Sequence, residues 1–270
     1  MFGEDYHDKF DPQSYLQMYY FGASDPVRLF LVKQVHEYYH SYKSTASKLR
    51  ILDVGTGPVI AHTISAAPHA SEIVLSEYSE ANREALLQWL KNDPKSHDWT
   101  PFFKHVVVDL EGKSEEEVPT RAELVRKVVK AVVPCDVNSD SPIPPEYVDQ
   151  YDIVTDFFCL VSACATKEDY VAALIRLCAL IKPGGTIMLY TCESKPHIPY
   201  AESTYSVGSQ KFLDRYLSKE FVSKSLEQIG FCDVKIVSLT RQELQVPEDQ
   251  QPECLGAIFT TACKKLGSGQ

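Results

Sequence analysis

The chain has no apolar run approaching the length of a membrane span, which excludes a protein built from membrane-crossing helices. It also lacks any cluster of Lys and Arg. With 27 basic against 37 acidic residues the net charge is −10, whereas a phosphate-binding surface needs clustered cations, so nucleic acid is not expected as a partner. No CxxC pair and no Cys/His metal spacing occurs, so neither a dithiol nor a metal centre is expected. The opening stretch MFGEDYHDKF lacks a basic region followed by an apolar one, and the expected compartment is the cytosol. Internal repeats are absent as well. The 8 cysteines lie mostly in apolar segments such as DFFCLVSAC and IRLCALI, where cysteine behaves as a small buried hydrophobe. Reduced core thiols follow.

What is present reads as a soluble α/β protein. The 270 residues, 44% hydrophobic and 24% charged, suffice for one large domain or two small ones. Strand and helix patterns alternate from Arg50 onward. Strands are expected at 50–54 (RILDV), 72–78 (EIVLSEY), 102–110 (FFKHVVVDL), 151–160 (YDIVTDFFCL) and 186–192 (TIMLYTC). Helices are expected at 79–91, with Leu86, Leu87 and Leu90 on one face, and at 120–133, 167–181 and 219–230. KPGG at 182–185 stops the third of these. The pair FCDVKIVSL and CLGAIFTTACKK reads as an antiparallel hairpin at the sheet edge. Strands alternating with helices imply a mainly parallel sheet covered on both faces. Two long polar segments, 111–149 and 193–210, interrupt the scheme and are read as inserts; loops at the carboxyl ends of parallel strands are where such folds build sites. The tail from 266 is expected to be disordered.

Two stretches carry chemistry. FDPQSYLQMYY (10–20) places Tyr15 and Tyr19 four residues apart, on one helix face, with Tyr20 beside them. Such a face offers ring surface with hydroxyl handles, suited either to covering a partly polar ligand or to docking on the domain. LDVGTGPV (52–59) joins a strand to a helix through Gly55 and Gly57, which allow a tight turn and close approach of a ligand to the backbone. Glu77 ends the next strand, where a carboxylate can accept both hydroxyls of a ribose, so an adenosine-bearing cofactor is indicated. Ile60 stands where a dinucleotide fingerprint has its third glycine, which disfavours a nicotinamide cofactor. Asp53 would repel a pyrophosphate but suits an ammonium, directly or through water.

The pattern of an apolar residue, Asp53, an apolar residue and Gly55-Thr56-Gly57, followed by Glu77 and IKPGG, resembles a class I S-adenosylmethionine (SAM) methyltransferase. More narrowly, FDPQSYLQMYY, LDVGTGPVI, SEYSEANREALLQWLKNDPKSHDWTP, VVDLEG, VPCDV, FFCL, LIKPGG and YSVGSQKF stand in an order that resembles the small-molecule nicotinamide, phenylethanolamine and indolethylamine N-methyltransferases, from Phe10 to Lys265.

That resemblance implies an α/β fold: a Rossmann-like sheet, mostly parallel with a C-terminal antiparallel hairpin, in one domain over 1–265, with lid helices in about 1–45. It implies SAM as cofactor, S-adenosylhomocysteine as product, a small-molecule amine as acceptor and a monomer. For the cofactor it implies Tyr20 at the methionine carboxylate, Tyr15 between cofactor and substrate, Gly55, Thr56 and Gly57 at the turn, and Val59 as an added contact. It further implies Glu77 at the ribose, Tyr78 near adenine, Asn82 near the carboxylate end, Asp136 and Val137 capping adenine, and Phe157 near the sulfonium.

For the acceptor the resemblance implies Tyr15, Tyr19, Thr191, Glu202 and Tyr205, with Glu202 and Glu253 anchoring an ammonium and accepting its proton. Thr191 stands where nicotinamide methylation uses an Asp, and Val161 where the phenylethanolamine enzyme has a Glu. Carboxylates on an aromatic pocket favour an aromatic or arylalkyl amine. Nicotinamide methylation, or SAM binding with little catalysis, stays open. Glu193 and His197 fall in an insert that the relatives do not share and are read as solvated.

Overall fold

Nine strands hydrogen-bond into one sheet in a computed structural model, which describes residues 4–42, 48–243 and 254–266. β1 (Leu49–Val54) pairs in parallel with β2 (Ala70–Glu77) on one side and with β4 (Tyr151–Phe157) on the other. β3 (Val129–Pro134) adds beyond β2, and β5 (Ile181–Ser194) beyond β4, again in parallel. Chain order therefore reverses between β1 and β4, whose ends meet at Val54 and Asp156. Open α/β sheets form their ligand crevice at such a reversal, above the carboxyl ends of the strands. β8 (Phe231–Thr240) and β9 (Cys254–Lys264) pair antiparallel, and β9 pairs antiparallel with β5, as the sequence predicts.

The first two strands are apolar because both sheet faces are covered. α5 (Glu80–Leu90) packs on one face through Asn82, Leu86 and Trp89, spaced four and three apart; Leu87 instead faces solvent, so the buried stripe is offset from the predicted one. α9 (Lys167–Ala179) starts with a reciprocal cap between Thr166 and Asp169 and buries Tyr170, Leu174 and Leu177. α10 (Lys219–Gln228) is capped by Ser218. Among the described residues no helix is long and apolar enough to cross a membrane.

Three expectations fail. Residues 102–110 form no strand: α6 (Thr100–Lys104) runs into a π-type turn over His105–Leu110. Its β-branched valines suggest a strand, but the buried residues Phe102, Phe103, Val106 and Val107 follow helical spacing. The third strand is β3, hidden in the predicted 120–133 helix, because α7 (Val118–Val128) passes into it with no Gly or Pro between them. The 193–210 segment is no loop either. β6 (Tyr200–Val207) and β7 (Gln210–Leu217) form a hairpin around Gly208 and Ser209, with Gly208 at φ 57°. This hairpin joins β5 through Glu193 and Leu217, beyond the end of β4.

The N-terminal segment is packed onto the crevice. α1 (Glu4–Lys9) precedes α2 (Pro12–Tyr19), whose free amides are capped by Asp11; α3 (Pro26–Ser41) is capped by Asp25. Leu16 and Tyr20 are buried against the main core, and Phe10 against Val207 and Phe212 of the hairpin.

Candidate active site

A cavity of about 670 Å³ lies over the ends of β1, β2 and β4, roofed by α1, α2 and the β6–β7 hairpin. Its size falls within the roughly 300–1,000 Å³ typical of small-molecule sites.

The floor is the turn after β1. Gly55 and Gly57 have φ 60° and 63°, and a Cβ on Gly55 would sit 2.1 Å from the sulfur of Cys159, so this turn tolerates no side chain there. Thr56 Oγ1 donates to Asp53 Oδ2 at 2.8 Å, and Thr155 Oγ1 donates to Asp53 Oδ1 at 2.6 Å. Asp53 is thereby buried behind the turn and off the cavity wall, where it fixes the loop instead of meeting an ammonium directly. Glu77, on the wall, accepts from the amides of Gly57 (2.9 Å) and Ser79 (2.8 Å) and from Asn82 Nδ2 (3.1 Å). Burial raises its carboxyl above the ordinary value, and the three donors oppose that. Asn82 is not a wall residue; it holds Glu77 from behind. Oε1 already accepts two of these bonds and Oε2 one, so Oε2 keeps acceptor capacity for a ribose hydroxyl.

Beyond Glu77 lie Tyr78, Asp136 and Val137, all on the wall. Asp136 caps its own turn by accepting from Asn138 N at 2.9 Å. Phe157 ends β4, and Phe158 follows at φ 71°, a left-handed turn that starts α8 (Cys159–Ala163). Asp156 bonds the amides of Cys159 and Leu160 at that helix start.

The roof is aromatic. Tyr15, Tyr19 and Tyr20 line it, with ring centroids of Tyr15 5.2 Å from Tyr19 and 5.8 Å from Tyr20. Tyr19 donates to the carbonyl of Ser206 at 2.9 Å, tying α2 to the hairpin. Tyr205, Tyr6 and Phe10 complete this side.

Two predicted acceptor residues lie elsewhere. Glu202 is 74% exposed and stands 3.6 Å from Arg215, off the wall. Thr191 is buried within β5, also off the wall. Glu253 lies outside the described residues. Val161 is buried, and Glu193 pairs with Lys219 at 3.1 Å.

The carboxylate that does face the aromatic chamber is Asp214, on β7. It accepts from Arg215 N at 2.9 Å and from Ser162 Oγ at 3.4 Å. Burial pushes its pKa up to about 6 against those bonds. The sequence carries a signal for it: in KFLDRYL, Phe212, Asp214 and Tyr216 alternate on one strand face, an acid between two aromatic residues. KFLDRYL falls between the 193–210 insert and the helix expected at 219–230 and is assigned to no strand, which hides that face. Arg28 and His62 also line the cavity without having been singled out. Both ring nitrogens of His62 lack hydrogen-bond partners, although Nδ1 stands 3.9 Å from Asp53 Oδ2, and its ring meets Phe157 edge-on at 4.8 Å. Among the described residues no cluster of three or more His, Cys, Asp or Glu side chains could hold a metal ion, and all eight cysteines are free.

Sheet order, glycine turn and acidic β2 end together define a class I methyltransferase, with SAM as its cofactor. Residues 1–264 match the model of the NNMT/PNMT/TEMT family, and the chain belongs to that family. It is similar to indolethylamine N-methyltransferase of Mus musculus, 34% identical over 97% of this chain and 96% of that one. It is also similar to nicotinamide N-methyltransferase of Homo sapiens, 32% identical over 84% of this chain and 83% of that one. Its fold is similar to that of magnesium protoporphyrin IX methyltransferase from Synechocystis PCC 6803, solved with SAM bound, at TM-score 0.59 and 12% identity over 97% and 94% of the two chains. The protein is a SAM-dependent N-methyltransferase.

Proposed function

We propose that the protein methylates the nitrogen of a small aromatic or arylalkyl amine. The observation that carries this reading is Asp214, a buried carboxylate in a chamber walled by tyrosines and phenylalanines. A buried carboxylate needs a cationic or donating partner, and a protonated amine on a ring-bearing tail supplies both the charge and the apolar surface. Thr191, which would serve nicotinamide if it were an Asp, is off the wall.

When bound, SAM supplies a methyl group on a cationic sulfur. In this reading Glu77 holds its ribose, Asp136 and Val137 its adenine, Gly55, Thr56 and Gly57 border its tail, and Tyr15 and Tyr20 cover it. Asp214 binds the acceptor's ammonium and takes its proton, which leaves the nitrogen lone pair free. Tyr19, Tyr205 and Phe157 enclose the acceptor's ring and exclude water. We further propose one catalytic domain over 1–265, working as a monomer in the cytosol, with about residues 1–45 as its lid and no nucleic-acid partner, consistent with the charge of −10.

A radiolabelled methyl-transfer panel tests the acceptor class. Phenylethylamine-like and indolethylamine-like compounds are expected to be methylated; efficient turnover of nicotinamide with those compounds inert overturns the assignment. Glu77→Ala is expected to weaken S-adenosylhomocysteine binding by roughly 1–3 kcal/mol, the cost of leaving buried hydroxyls unpaired. Calorimetric titration beside Glu77→Gln, which keeps the shape of the side chain, checks this. Unchanged affinity in both variants removes Glu77 from the ribose site.

A further inference from the structure

Arg28 occupies the first turn of α3 and lines the cavity, yet its donors are poorly met. Its side chain is 13% exposed, and its Nε is buried with no hydrogen-bond partner. Two carboxylates act on it: Asp214, whose carboxyl pKa the Arg28 charge lowers against burial, and Asp25, which is largely engaged, its Oδ1 accepting from Val27 N at 2.8 Å and Arg28 N at 3.1 Å. Its Oδ2 stays 3.8 Å from the guanidinium, beyond hydrogen-bond length. Three rings flank the cation instead: Tyr19 at 4.5 Å, Phe158 at 5.3 Å and Tyr20 at 5.9 Å from the guanidinium carbon. Rings orient the guanidinium plane but accept few of its five N–H groups.

A planar fork with unmet donors, inside an apolar wall, matches a carboxylate's two oxygens. Among the described residues Arg28 is the one Lys or Arg on the cavity wall, where Asp25, Glu77, Asp136 and Asp214 already supply negative charge. That balance suits a singly charged anion and repels a phosphate. We propose that Arg28 receives a ligand carboxylate, making this part of the cavity a recognition site for an amino-acid moiety. The inference rests on the preceding reading only in placing cofactor and acceptor in this cavity. Two sources share the chemistry: the methionine tail of the cofactor, or an acceptor that carries its own carboxylate beside the amine held by Asp214.

Paired ligands tell them apart. In the first arm, S-adenosylhomocysteine and its decarboxylated analogue are titrated into wild type, Arg28→Met and Arg28→Lys. In the second arm, phenylalanine and tryptophan are compared with phenylethylamine and tryptamine, by direct binding in the presence of S-adenosylhomocysteine. Wild type is expected to bind the carboxylated member at least tenfold more tightly in one arm. Arg28→Met should close that gap, and Arg28→Lys, which keeps the charge, should restore part of it. A gap in the first arm assigns the cofactor tail, and a gap in the second assigns the acceptor. No preference for a carboxylate in either arm, or a preference that survives in a folded Arg28→Met or Arg28→Lys protein at full size, overturns the proposal. Both arms read binding, so they hold even where the amine panel fails.

Discussion

Asp214→Asn is expected to lower kcat/KM for the amine acceptor by about 100-fold or more while leaving S-adenosylhomocysteine affinity within about twofold. The size follows from removing one partner of a desolvated ion pair, which costs roughly 3–5 kcal/mol. Cofactor affinity should hold because Glu77, Asp136 and the glycine turn lie on other strand ends. The pH profile separates this role from a merely structural one. Asp214 is held protonated up to about 6 by burial, so an ammonium finds no anion below that range. With SAM saturating, kcat/KM for the acceptor should rise with pH through about 6. Asp156, pushed by burial to about 7, titrates nearby, so the diagnostic is the difference between the profiles of wild type and Asp214→Asn. The sign for stability is the opposite. The native state holds the Asp214 proton more tightly than the unfolded chain, so this group's contribution falls as pH rises from the ordinary carboxylate range through about 6. At pH 8 the variant should therefore melt no lower than wild type. A variant that methylates amines at the wild-type rate removes Asp214 from the acceptor site.

The parts legible in sequence are those where local chemistry and tertiary role coincide. Gly55 and Gly57 announce a turn that needs positive φ, and Glu77 ends a strand whose Ile73, Val74 and Leu75 are a short apolar run covered on both sides. The residues that escaped owe their place to long-range pairing. Val129–Pro134 reads as the tail of a helix until β2 offers it an edge, and VVV at 106–108 reads as a strand until Trp99 and Phe102 bury one helical face. The acceptor chamber was the least legible. Glu202 and Asp214 lie on facing strands of one hairpin, paired one register step apart, yet one carboxylate faces solvent and the other the chamber. Only the side of the sheet to which each residue points separates them, and where the sequence reading assigns no strand that side is undefined.

Deleting residues 1–20 is expected to abolish methyl transfer, by more than about 1,000-fold. The segment is wall as much as cover. Tyr6, Phe10, Tyr15, Tyr19 and Tyr20 are half of the tyrosines and phenylalanines that line the chamber, so their loss opens it to water and leaves Asp214 solvated. The resemblance implies a lid over the ligands, and the structure adds that the same segment is also part of the packed core. Tyr20 is buried against Trp99 and Phe102, Leu16 belongs to the same core, and Phe10 packs on Phe212, so the truncated protein should also melt at a lower temperature. A cooperative transition by circular dichroism would show that the sheet persists and that the lost turnover is local. A gentler cut isolates the link between roof and hairpin. Tyr19→Phe removes only the bond to the Ser206 carbonyl, worth about 0.5–1.5 kcal/mol, so kcat/KM should fall roughly 2- to 10-fold with melting nearly unchanged. Wild-type turnover in the truncated protein would reduce the tyrosine helix to packing, because a chamber that works without its roof does not depend on excluding water.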